Sequence, residues 1–233
     1  MLIRIPAMLA ACGLVALAAC GQKSTNLNTS VTTKVAQDAM TPDAVFADLK
    51  AGNERFVAGK TTGQDWLAQA ATTAAEGQYP KAIVLSCLDS RVVPEIVFDQ
   101  GIGDIFVGRV AGNFENTDML GSMEFGTAVA GSKLIVVLGH TSCGAVKGTM
   151  DNAELGNLTA TLANIQPATS VAPGAPATDT PALNRVIEEN VRITMRDIMT
   201  RSPVLADRVA NGQLKIVGGV YDLATGRVDW IEG

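Results

Sequence analysis

Four short apolar runs constrain the fold of this chain more than any other feature of its sequence. Each run has the length of a strand and is almost continuously hydrophobic, which is typical of strands buried on both faces of a parallel sheet. Segments with helical periodicity separate the runs, and this alternation predicts an α/β domain with a mostly parallel sheet flanked by helices. The four predicted parallel strands are Ala82–Ser86, Asp104–Val110, Leu134–Gly139 and Leu214–Val220, and Arg227–Ile231 is predicted as an antiparallel edge strand.

The sequence also predicts helices before and between these strands. Thr41 and Pro42 form a helix start, in which a capping hydroxyl is followed by a proline in the first turn. The segment from Gln166 to Pro181 is rich in Ala, Pro and Thr and predicts a surface loop. The predicted helices run from Pro42 towards Gly52 or Gly59, from Asp65 to Gln78, and over Pro94–Gln100, Met119–Ala130 and Ala182–Thr200.

Residues 1–19 have the pattern of a secretory signal peptide. Arg4 supplies a positive charge, and Ile5–Ala19 is almost wholly apolar but too short to span a membrane as a helix. A buried N-terminal helix is the alternative interpretation. The segment ends in Leu17-Ala-Ala-Cys20-Gly21, which resembles the lipobox of bacterial lipoproteins. The resemblance implies that Cys20 is lipidated and becomes the first residue of the mature protein.

The residues after this motif predict a tether followed by one domain. Residues 20–40 are rich in Ser, Thr and Asn and have no apolar period, so we expect a flexible tether there. Residues 41–233 are predicted to form a single domain, and a hydrophobic content of 47% fits a chain with a real core. The net charge of -5 argues against a nucleic-acid surface. A lipid at Cys20 implies the periplasmic side of a bacterial envelope, and Gln22 favours the outer membrane by analogy.

Few residues of the chain could hold a soft metal ion. With Cys12 in the signal peptide and Cys20 lipidated, the remaining thiols are Cys87 and Cys143, and His140 is the single histidine. All three follow predicted strands, at the sheet edge where open parallel sheets bind ligands. Two thiolates and one imidazole suit zinc at tetrahedral geometry, and three protein ligands leave the fourth position open, as in catalytic zinc sites.

Each of these residues also has a simpler interpretation. Cys87 and Cys143 could form a disulfide, because a secreted protein meets an oxidising compartment. His140 could be a core histidine, and Asp89 and Arg91 could be a surface ion pair. Their placement together at one edge of the sheet favours the metal site.

Two motifs in these loops resemble the paired signature of the β-class carbonic anhydrases. They are Cys87-Leu-Asp-Ser-Arg91 and His140-Thr-Ser-Cys-Gly144, and residues 103–113 and 122–126 resemble further segments of the family. The similarity extends from about Met40 to the end of the chain. It implies the family's α/β fold and the reversible hydration of carbon dioxide to bicarbonate and a proton.

The resemblance also implies a ligand set and an assembly. Cys87, His140 and Cys143 would bind one zinc ion per chain, and Gly144 would line the pocket for substrate and water. The family is built from dimers, so we expect a homodimer or a higher even-numbered oligomer. The helix at residues 42–59 would be the arm that embraces the partner, and the carbon dioxide pocket would come partly from the neighbouring subunit.

Asp89 and Arg91 would form the switch of the site. In the family, this aspartate ligates the metal in a closed state or pairs with the arginine in an open state, where it helps to remove the proton of the zinc-bound water. The Asp-x-Arg spacing has a physical reason, because a carboxylate beside zinc tends to coordinate it unless a bidentate guanidinium offers charge-assisted hydrogen bonds instead. With no second histidine, protons would leave through Asp89, water and external buffer.

Three other functions stay open on the sequence alone. The same ligands could serve a hydrolase of a sulfur analogue, such as carbon disulfide or carbonyl sulfide. The chain could be a zinc-binding lipoprotein without turnover, although Asp89 and Arg91 argue against a purely structural site. It could also be a binding domain stapled by a disulfide.

Overall fold

The computed structural model of the protein describes residues 27–231, and these form an α/β domain around one five-stranded sheet. The strand order is β2-β1-β3-β4-β5, with parallel neighbours throughout except for the antiparallel pair β4 and β5. This confirms the predicted fold class, and each strand lies within a residue of its predicted bounds. The strands are β1 Ala82–Ser86, β2 Ile105–Arg109, β3 Leu134–His140, β4 Lys215–Tyr221 and β5 Val228–Ile231.

Helices cover both faces of this sheet, and side-chain caps begin several of them. Thr41, Asp65 and Asp179 each accept a hydrogen bond from a backbone N–H in the first turn, which satisfies one otherwise unpaired donor. The α-helices are α1 Lys34–Ala39, α2 Pro42–Val57, α3 Trp66–Glu76, α4 Pro94–Val97, α5 Thr117–Glu124, α6 Gly144–Met150, α7 Gly156–Ala163, α8 Thr180–Arg201 and α9 Pro203–Ala210. A π-helical turn, Phe125–Val129, continues α5.

The two central strands position the loops that follow them. β1 and β3 are buried along their whole length, as their continuous apolar sequences predict. Ser86 at the end of β1 lies beside Leu138, so β3 continues two residues further, to His140. Helix α8 packs closely over β3 because Gly139 has no side chain; a Cβ there would lie 2.8 Å from a methyl group of Val191.

Two segments differ from the sequence-based expectations. The predicted flexible tether is wrong for its second half, since Lys34–Ala39 is helical and Gln37 is fully buried. The Gln37 carboxamide donates to the carbonyl oxygens of Pro80 and Ala130, at 2.8 Å each, which holds this segment on the domain. Residues 166–181 are not a simple surface loop either. They begin with a 3-10 helix, Gln166–Val171, and bury Ala168, Ala172 and Ala177.

Some elements were not predicted at all. Helices α7 and α9 fall in segments for which the sequence predicted no element. The predicted signal peptide and the lipidated Cys20 lie outside the described residues. Among residues 27–231, no helix is long and apolar enough to cross a membrane.

Candidate metal centre

The two thiols and the imidazole converge at the carboxyl edge of the sheet, as the topology predicts. Cys87 directly follows β1, His140 is the last residue of β3, and Cys143 caps the N-terminus of α6. All three side chains are buried, and their ligand atoms lie within 4.8 Å of one another. The structure therefore brings together the three residues that the sequence proposed as ligands.

The imidazole of His140 is oriented for binding a metal. Its ring is fully buried, and Nδ1 lies 3.0 Å from the carbonyl oxygen of Thr141, which can only accept. This bond assigns the proton to Nδ1 and leaves the lone pair of Nε2 free. Nε2 is buried and has no hydrogen-bond partner in the described structure. An unpartnered buried nitrogen aimed at two thiols is what a metal ligand requires.

The distance between the two sulfurs also fits a shared metal. Cys87 Sγ and Cys143 Sγ are 3.9 Å apart, and both thiols are free. A disulfide needs about 2.05 Å. Two Zn–S bonds of about 2.3 Å at the tetrahedral angle place the sulfurs roughly 3.8 Å apart. The donor set and its spacing thus fit zinc, and the structure holds the thiols apart rather than bonded.

The two thiols shift each other's pKa in opposite directions. The hydrogen bond with Cys143 lowers the pKa of Cys87, although burial opposes this change. The same bond and burial raise the pKa of Cys143. Because metal ligands must be deprotonated, binding a metal to both sulfurs would release their protons.

Asp89 and Arg91 form a bidentate pair at the mouth of the site. Arg91 donates from Nε to Oδ1 of Asp89 at 2.9 Å and from Nη2 to Oδ2 at 2.7 Å, and its backbone N–H donates to Oδ1 at 2.9 Å. These bonds hold the pKa of Asp89 well below its ordinary value. Oδ2 is still only 3.9 Å from Nε2 of His140. The carboxylate therefore stands beside the ligand cluster, engaged by Arg91.

Two residues that the sequence did not single out shape the loop after β1. Arg109, at the end of β2, donates to the carbonyl oxygens of Cys87 at 3.1 Å and Asp89 at 2.5 Å. The N–H of Gly112 donates to Cys87 Sγ at 3.4 Å. No local pattern reveals these roles, because each depends on where β2 ends relative to β1.

Gly144, predicted to line the pocket, is the exposed first residue of α6 and directly follows Cys143. A Cβ at this position would meet no atom within 4 Å, so the space beside it is open within the described chain. Its role in substrate binding stays a prediction.

The fold and the site together define an α/β protein with a candidate Cys-His-Cys metal centre and an adjacent Asp–Arg pair. Residues 82–228 match the carbonic anhydrase family. The chain is 41% identical over 189 residues to a Mycobacterium tuberculosis protein named carbonic anhydrase 2, a match that covers 80% of this chain and 91% of the relative.

Solved structures agree with this assignment. The chain resembles a Coccomyxa β-carbonic anhydrase in complex with acetazolamide, with a TM-score of 0.61 and 26% identity over 71% of this chain and 81% of that one. A tetrameric β-carbonic anhydrase of Sordaria macrospora shares the fold, with a TM-score of 0.61 and 20% identity over 80% and 96% of the two chains. The chain belongs to the carbonic anhydrase family, in its β class.

Proposed function

We propose that this protein catalyses the reversible hydration of carbon dioxide to bicarbonate and a proton, with one zinc ion held by Cys87, His140 and Cys143. One observation carries the proposal: three soft ligand atoms lie within 4.8 Å of one another, beside a carboxylate that an arginine engages. Membership of the carbonic anhydrase family gives the reaction. The site geometry supports the choice of these three ligands.

Zinc bound there would supply the Lewis acidity that makes water a nucleophile near neutral pH. Residues of the chain orient the proposed ligands and keep them buried. The carbonyl of Thr141 fixes the tautomer of His140, and the buried surroundings of both thiols exclude competing water from the ligand atoms. Three protein ligands leave one position for the reacting water, as in other catalytic zinc sites.

Asp89 would orient the nucleophile by accepting a hydrogen bond from it and would help to remove its proton. Arg91 keeps the carboxylate ionised, so its oxygens can accept that hydrogen bond. Because Arg91 occupies both oxygens, it also competes with direct coordination of the metal by the carboxylate. The pairing of Asp89 with Arg91 supports our proposal of an open state at this site.

The proton then has a short way to solvent. The side chain of Asp89 is 17% exposed and that of Arg91 is 58% exposed. His140 is the only histidine of the sequence and is committed to the metal site, so no second imidazole can carry the proton outwards. We propose that water and external buffer accept it from Oδ2 of Asp89.

A direct comparison of substrates tests this assignment. The purified zinc protein should hydrate carbon dioxide rapidly and hydrolyse carbonyl sulfide or carbon disulfide at a small fraction of that rate. The reverse order of rates would contradict the proposal in favour of the sulfur substrates. Turnover of neither substrate, with zinc at one per chain, would leave only a zinc-binding role.

We also propose a homodimer formed through the β2 edge of the sheet. In the described structure β2 pairs on one side alone, with β1. A cleft of about 820 Å³ between β2 and α5 is lined by apolar side chains that include Phe106 and Phe125, and Phe125 is 56% exposed. Sedimentation should show a dimer or larger even assembly that Phe125→Glu weakens; a monomer at micromolar concentration would contradict this.

Helix α2 fits the role of an embracing arm poorly. It packs Val45, Phe46 and Leu49 into its own core, and the ring of Phe46 meets that of Trp230 edge to face at 4.9 Å. Its apolar face is therefore used within its own domain. This packing favours the β2 edge as the interface.

Finally, we propose that lipid on Cys20 anchors the mature protein in the bacterial envelope. Asn28 is held on the domain by its hydrogen bond to Gln64, and a fully extended chain from Cys20 to Asn28 would span about 28 Å at most. The domain would then work close to the membrane surface. Labelled palmitate should enter the wild-type protein and not Cys20→Ala; equal labelling of both would contradict the anchor.

A further inference from the structure

The sulfur of Cys87 receives a hydrogen bond from outside its own loop. The donor is the backbone N–H of Gly112, which lies 3.4 Å from Sγ, and the contact is buried. Gly112 belongs to a tight turn after β2, in which the N–H of Asn113 donates to the carbonyl oxygen of Val110 at 3.0 Å. The direction of this single N–H therefore depends on the conformation of the turn.

Only glycine can occupy that point of the turn. Gly112 has a φ of +87°, and a Cβ there would lie 2.3 Å from Cδ1 of Ile165. Glycine adopts this conformation without cost, but it is also the residue least restricted to it. Its N–H needs further contacts to keep pointing at the sulfur.

Helix α8 supplies such a contact through Asn190. The Nδ2 of Asn190 donates to the carbonyl oxygen of Gly112 at 2.7 Å, and Asn190 is only 2% exposed. The peptide unit between Gly112 and Asn113 is thus held at both ends, by Asn190 and by Val110. Because α8 packs closely over β3 at Gly139, Asn190 on that helix lies near enough to reach Gly112.

We infer that Asn190 is a positioning residue of the metal centre, because its carboxamide fixes Gly112 and so directs the Gly112 N–H onto the Cys87 sulfur. The inference rests on the proposed zinc site. Partners that orient a ligand commonly contribute 10- to 100-fold to metal affinity or activity.

Two substitutions on the same buried helix separate this role from simple packing. Asn190→Leu keeps the branched shape of the side chain but removes the donor and leaves the Gly112 carbonyl without this hydrogen bond. Thr194→Val removes a hydroxyl from another fully buried position one turn along α8 and serves as the matched control. Asn190→Ala is measured in parallel, because it removes the same donor without any risk of overpacking.

The readouts are the zinc dissociation constant, measured by chelator competition, and the thiolate-to-metal absorption band of the cobalt-substituted protein. We expect Asn190→Leu and Asn190→Ala to weaken zinc binding by about 10-fold or more and to shift the cobalt band. Thr194→Val should change neither, even if it lowers the melting temperature equally. Asn190 variants that fold and match the wild type in both readouts would overturn the inference. A wild-type protein that binds no zinc would instead overturn the proposed function.

Discussion

The two loops that carry the proposed ligands are built in different ways. The loop after β1, residues 87–93, carries Cys87 and is held by side chains: Arg91 grips Asp89, and Arg109 reaches across from β2. It is open to solvent, with Leu88 61% exposed. The loop after β3, residues 141–143, is held by the fold itself.

Backbone contacts secure this second loop. The N–H of Thr141 donates to the carbonyl oxygen of Tyr221 at the end of β4, and the Thr141 hydroxyl accepts from the N–H of Leu223 at 3.1 Å. His140, at the end of β3, and Cys143, in this loop, are both almost completely buried. We call residues 140–143 the rigid loop, because backbone bonds and burial hold them, and residues 87–93 the adjustable loop. The rigid loop supplies two ligands, and the adjustable loop supplies the third together with the Asp–Arg pair.

The largest effect should come from the rigid loop. His140→Ala or Cys143→Ser removes one of the three proposed ligands, so we expect loss of zinc and a fall in carbon dioxide hydration of about 1,000-fold or more. Metal analysis and stopped-flow hydration on the same samples measure both. Full activity in either variant would mean that the ligand set is wrong.

In the adjustable loop, a substitution can lower the rate of hydration without loss of zinc. Asp89→Asn keeps the shape of the side chain but removes the base, so we expect zinc at one per chain with hydration reduced by about 100- to 10,000-fold. The exposed Glu154→Gln is the control for loss of one negative charge. Wild-type rates in Asp89→Asn would refute the role given to the Asp–Arg pair.

A substitution at Arg109 tests whether side chains hold the adjustable loop in place. Arg109→Lys keeps the charge but cannot donate to both carbonyl oxygens from a rigid fork. We expect zinc affinity to fall about 10-fold, as when other groups that orient a ligand are lost. Arg227→Lys, on an exposed turn, should leave affinity unchanged. Equal affinities in both variants would show that the loop does not depend on Arg109.

The smallest effect should follow from the loss of one side-chain hydrogen bond in the rigid loop. Thr141→Val removes the acceptor of the Leu223 N–H but leaves the backbone bond to Tyr221. We expect the free energy of unfolding in urea to fall by about 1 kcal/mol, the typical value of one hydrogen bond, with little change in zinc affinity. A larger loss of affinity than in Arg109→Lys would reverse the comparison of the two loops.

The sequence could predict the proposed ligands, which follow strand ends, but not the residues that hold the ligand loops in place. The strands Ala82–Ser86 and Leu134–His140 are buried on both faces, so their apolar runs marked them almost to the residue. In a parallel sheet, the carboxyl ends of the strands meet at one edge, and this rule alone predicts that Cys87 lies beside His140 and Cys143. The ligands were therefore predictable from pattern and topology.

The residues that support the ligands were not predictable in this way. Arg109, Gly112 and Asn190 act through backbone atoms, and their partners depend on strand register and on the depth of α8. The polar segment before Met40 gave no sign of its helix, because Gln37 is buried through hydrogen bonds rather than apolar area. Nor does the Ala-rich stretch at 166–177 have an apolar period that would reveal its packing.

The central claim is that three protein ligands hold a zinc ion that hydrates carbon dioxide. Stopped-flow hydration on the purified protein, with zinc measured on the same sample, tests it most directly. We expect rapid hydration at one zinc per chain, loss of activity on chelation and recovery when zinc is restored. Zinc at one per chain with no hydration from neutral to alkaline pH would contradict the claim, as would a zinc-free protein in which Cys87 and Cys143 are oxidised together.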